Sequence, residues 1–191
     1  MANLQRNSHA KFGFQLFFSS CLEYNCTIMT AFLIASQVIV FMHIAFGELT
    51  GAMLLWSVKE LVYLSADRIK WLKMSLWAAF GSVMLAWIAG GSYYLFLYPQ
   101  VKTVINTGPE TWGHLIFTES KEHIFFFLPV MIFVAAVFAQ KRGHSLLGNV
   151  RLKRNFTLFV ILTALLVFAI AFMGYMITWS ARTALWVNSG L

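Results

Sequence analysis

Residues 31–56 form an apolar run long enough to cross a bilayer, and His43 sits near the middle of that run. A hydrocarbon core about 30 Å thick takes roughly 20 apolar helical residues to span. No water is present there to satisfy backbone N–H and C=O groups, so such a run must close its hydrogen bonds internally, as a helix. Three further runs follow. The expected fold is all-α: a polytopic membrane protein built as a four-helix transmembrane bundle. The predicted spans are about 31–57, 71–98, 120–140 (starting as early as 109) and 156–179. Short connections make neighbours antiparallel, an up-down-up-down arrangement. An imidazole inside such a span is expensive to insert and is expected to face a partner, a cofactor or a cavity.

The 191 residues are 60% hydrophobic and 11% charged, too little charge to clothe a soluble domain of this size. The chain reads as one integral-membrane domain over 1–191. Its net charge of +7 does not call for nucleic acid. Lys59, Arg68, Lys70, Lys141, Arg142, Arg151, Lys153 and Arg154 lie in loops 58–70 and 141–155, with Lys73 just beyond the first, whereas Arg6, Lys11, Lys102, Lys121 and Arg182 fall on the other side. By the positive-inside rule the two basic loops are predicted cytoplasmic and both termini outside, the membrane being the plasma or inner membrane if the cell is bacterial. No phosphate-binding loop, dinucleotide fingerprint or His-Glu-x-x-His motif is present, so nothing points to a kinase or hydrolase.

Residues 1–30 form an arm with a short Phe-rich block, expected to be an interfacial segment leading into the first span. A fifth span over 12–28 and a start at Met29 are the alternatives. Cys21 and Cys26 lack metal-ligand spacing.

The polar residues within the apolar segments are the candidates for function. At 1.5 Å per residue, His43 is about 21 Å from the basic-loop end of its helix, and His123 is about 25 Å from the same end of the third. Two imidazoles from different helices at one level can supply both axial ligands of a haem. The first expectation is therefore haem b held between helices 1 and 3 by His43 and His123. Gly47 and Gly51 follow His43 on one helical face and would let the macrocycle approach. The same Gly-x-x-x-Gly spacing serves equally as a helix-packing motif. In helix count and paired histidines the pattern resembles four-helix b-type cytochromes and the haem-bearing anchors of respiratory enzymes. That resemblance implies electron transfer with quinone and other membrane redox subunits as partners, and the short histidine set argues against a second haem.

The competing expectation is a metal- or proton-handling site. Glu119 and His123 are i, i+4 on one helical face, a spacing that can present a carboxylate and an imidazole to one transition-metal ion. His43, Glu119, Glu122 and His123 make the set, with Glu48 and His114 as additions. The same groups suit a proton relay. Against this, acids at a helix start are favoured by the dipole without any function. A third expectation is a non-catalytic accessory subunit whose polar groups only join helices.

Overall fold

The computed structural model describes residues 36–188, so every expectation for the arm lies outside the described residues, as do positions 31–35 of the first span. From Ile39 onward the chain forms one compact unit. Helix α1 is Ser36–Val62 and α2 is Arg68–Phe96. Helix α3, Tyr98–Thr107, fills what sequence predicts as an open connection. A π-helical segment, Gly113–Thr118, runs into α4 (Glu119–Phe125) and then α5 (Phe127–Arg142). A single turn, α6 (Ser145–Gly148), precedes α7 (Val150–Asn188). There is no strand among the described residues. Four helical stretches are long and apolar enough to cross a membrane, Ser36–Val62, Arg68–Phe96, Gly113–Arg142 and Val150–Val187.

Two prolines explain where the helices break. Pro99 has no N–H to offer and its ring crowds the carbonyl four residues back, so α2 ends at Phe96 and α3 restarts with proline in its first turn. Pro129 does the same to the Phe125 carbonyl. The interruption between α4 and α5 falls at Phe126, within that turn.

Helix boundaries exceed the predicted ones where a polar side chain is unexpectedly buried. Glu60, within the stretch 58–70 that sequence predicts as a basic loop, is 4% exposed. It accepts from Trp56 Nε1 at 3.0 Å and pairs with Arg68 at 3.2 Å. Trp56 stacks on Trp71 across the turn. This cluster lets α1 continue beyond Ser57 and ties it to the start of α2. Lys153 of α7 donates to the Val62 carbonyl at 3.2 Å, satisfying one of the orphan acceptors at the end of α1. The 39 residues of α7 extend about 58 Å at 1.5 Å per residue, well beyond a bilayer core.

The core is a seam of large and small side chains. Leu72, Leu76, Ala79 and Val83 of α2 join Ile132, Ala135, Ala136 and Ala139 of α5, together with Leu54, Leu61, Val160 and Ala164. Alanines let helix backbones approach closely, which is how packing is gained where lipid removes the hydrophobic drive. Buried hydroxyls are satisfied locally or across helices. Thr50 and Thr163 donate to carbonyls four residues back, and Ser57 Oγ meets Ser75 Oγ at 2.8 Å between α1 and α2.

A candidate intramembrane polar site

His43 enters the bundle through a gap left by glycine. Its Nδ1 lies 2.8 Å from the Ala86 carbonyl of α2, and a methyl group placed on Gly90 would sit 2.6 Å from that nitrogen. A carbonyl can only accept, so Nδ1 carries the proton and Nε2 of the neutral ring keeps its lone pair. The ring meets Phe125 edge-on, with centroids 6.3 Å apart. The ammonium of Lys121 lies within electrostatic range of it.

Lys121 and Phe125 are i, i+4 and share the inward face of α4. The Lys121 amine reaches α7, where it would meet a methyl on Gly174 at 3.2 Å. Its side chain pairs with no carboxylate, the Arg68–Glu60 bridge being the one ion pair among the described residues. Glu122 is half-buried, with one carboxylate oxygen lacking a hydrogen-bond partner. Its carboxylate faces the Tyr94 hydroxyl, and Tyr94 stacks on Tyr98 at 5.3 Å.

Next to this lies a directional hydrogen-bond chain. Thr118 donates to the Gly113 carbonyl at 3.0 Å, five residues back, a reach that the wide π turn permits. Having spent its proton, Thr118 must accept from Tyr98 (2.8 Å). Tyr98 in turn accepts from His114 Nδ1–H at 2.9 Å. His114 is 6% exposed, so the chain is sealed from solvent. Burial pushes the Tyr98 hydroxyl above its ordinary titration range, with the Thr118 hydrogen bond acting in the opposite sense. The turn that carries this chain is pressed onto α7. Gly108 abuts Ala184 and Gly113 abuts Ser180 with no space for a Cβ, and Ser180 donates to the Glu110 carbonyl.

The other expected site residues lie elsewhere. His123 is exposed, its Nδ1–H donating to the Glu119 carbonyl at 2.7 Å, and the Glu119 side chain is exposed on the same face. His43 and His123 each lie nineteen residues before the last residue of their span, Val62 and Arg142, so their heights correspond. Their directions do not. His123 is two residues, or about 200° of helix rotation, from both Lys121 and Phe125, the residues that face His43. The two imidazoles therefore do not face one another. Gly47 has no neighbour near its Cβ position, while Gly51 packs against Phe168 and Val167 of α7, which is helix packing. Glu48 is exposed on α1. His43, Glu119, Glu122 and His123 do not converge on one ion, and among the described residues no group of three or more His, Cys, Asp or Glu side chains is placed to hold a metal.

These features define the class: an all-α bundle with four helices able to span a bilayer and a titratable cluster among them. No protein-family model, curated protein or solved structure matches the chain, so its family is not assigned.

Proposed function

We propose that this is a proton-handling integral membrane protein, in which a one-sided relay connects the membrane face remote from the basic loops to an interior site made by His43 and Lys121. The observation that carries the reading is Lys121, a lysine directed into the bundle beside an imidazole with no carboxylate to neutralise it. Ionisable groups within a span are costly and are retained where they move charge. Glu122 and Tyr94, with Tyr98 behind them, supply titratable groups between that pair and the helix ends at 96–98. Ala86 and Gly90 of α2 mark the inner limit of the relay, beyond which the core seam is largely apolar.

Nitrogen-15 resonance of His43 in bilayer-reconstituted protein tests the reading. The imidazole should change protonation between mildly acidic and mildly alkaline buffer, and Glu122→Gln with Tyr94→Phe should slow its proton exchange by tenfold or more, the scale of a lost relay group. An imidazole that keeps one state throughout, with exchange unaffected by the two substitutions, would leave only a helix-joining role.

A second reading, haem b and electron transfer to or from a quinone, is favoured by one observation. Both His43 and His123 hold Nδ1–H on a backbone carbonyl, which leaves Nε2 free in the tautomer an iron ligand needs. Pairing those two rings on one macrocycle requires α4 to turn by about half a revolution, given 100° per residue. A Soret band lost in both His43→Ala and His123→Ala supports it. A band surviving His123→Ala removes the paired form.

A further inference from the structure

At the opposite end of the bundle, Lys70, Lys73 and His144 line an open groove of about 460 Å³ between α2 and the turn after α5, with Met74 and Trp77 below them. We infer that this groove seats the phosphate headgroup of an anionic phospholipid, whose acyl chains run down over Met74 and Trp77.

Three features support that occupant. The first is uncompensated charge: neither lysine nor His144 makes an ion pair, and the nearby Arg68 is taken by Glu60. Asp67, the adjacent acid on the same turn, does not line the groove. The second is shape. The Lys73 stem passes over Gly143: a Cβ there would meet the Ala139 carbonyl at 2.6 Å and Ile69 at 3.0 Å, and Lys73 Cε lies 3.4 Å from the same position, so the stem packs on the glycine at contact distance. Lysines that snorkel in this way keep the amine at headgroup level. The third is the apolar wall. Trp77, Phe80 and Phe133 form a ring cluster, with Trp77–Phe80 at 5.8 Å and Phe80–Phe133 at 5.3 Å. Trp77 and Phe133 are exposed toward lipid. Cations above an aromatic, lipid-facing wall offer one molecule both a phosphate site and an acyl track, the combination by which basic pockets between spanning helices hold anionic headgroups.

Native mass spectrometry of the detergent-solubilised full chain, with added phosphatidylglycerol, phosphatidylcholine or inorganic phosphate, tests this. Phosphatidylglycerol should be retained at least about tenfold better than phosphatidylcholine, as expected of two lysines near an anionic surface. The Lys70→Gln/Lys73→Gln variant should lose that preference and Lys141→Gln/Arg142→Gln should keep it. A preference undiminished in the groove variant, or inorganic phosphate binding as well as the lipid, overturns the proposal. A second readout avoids substitution of the lysines. Brominated phosphatidylglycerol should quench Trp77, seen as the signal missing in Trp77→Phe, more strongly than brominated phosphatidylcholine. Equal quenching by the two lipids also overturns it.

Discussion

The position of His43 depends on a hydrogen atom. With glycine at position 90 the imidazole lies flat against α2 and reaches the Ala86 carbonyl. Gly90→Ala should therefore expel the ring, shift its nitrogen resonances and cost about 1–3 kcal/mol by overpacking, measurable by chemical denaturation in detergent. Tyr98 is a second such point. Tyr98→Phe leaves His114 without its acceptor and Thr118 without its donor, a loss of about 1–3 kcal/mol for buried groups. The contribution has a defined pH dependence. Because burial raises the Tyr98 hydroxyl, the chain is intact below the ordinary tyrosine value of about 10 and is lost as pH rises through the higher folded-state value. The stability gap between wild type and Tyr98→Phe should thus be constant at neutral pH and shrink in strong alkali. Equal gaps at both ends would show that the hydroxyl is not buried as described. Sequence alone pointed to His43 from its place in an apolar run. It did not show that His114 is buried, because the π turn and the Gly108 and Gly113 contacts with α7 that enclose it are tertiary facts.

At the scale of helices, counting along the chain works and counting around it does not. A fixed rise per residue places His43 and His123 at matching heights. Azimuth depends on how α4 sits on α1 and α7, as the contacts of Phe125 with His43 and of Lys121 with Gly174 show. Lys121 and Phe125 took the inward face, while Glu119 and His123 were left outside. The signal was available in part: Lys121, Phe125, Leu128 and Ile132 share one helical stripe with buried residues at its far end. The burial of Glu60 escapes sequence for a related reason, since its partners Trp56 and Arg68 come from both sides of the turn inside the predicted loop 58–70. The bond between α1 and α2 is testable in the same terms. A double-mutant cycle of Ser57→Ala and Ser75→Ala should give a coupling of about 0.6 kcal/mol, and no more than about 1.7, as found for hydrogen bonds between spanning helices. Zero coupling would mean that each hydroxyl is content with its own helix carbonyl, Met53 or Leu72.

The whole molecule is polar at both ends for different reasons. Its basic-loop end gathers lysines over an aromatic wall. The other end carries tyrosines, a sealed His114 and a half-buried Glu122, leading inward to Lys121 and His43. Between them lies the apolar seam of α2 and α5. This division was legible from the runs and their charges, whereas the chemistry of the inner site required the coordinates of four helices at once. The claim on which the account rests is that protons reach the Lys121–His43 pair from one face only. Vesicles holding the protein in a single orientation, with inner and outer pH set independently, measure this through the nitrogen-15 signals of both side chains. The signals should follow the pH on the side of residues 97–113 and ignore the pH on the side of the basic loops. Signals that follow the basic-loop side, or neither side, would contradict it.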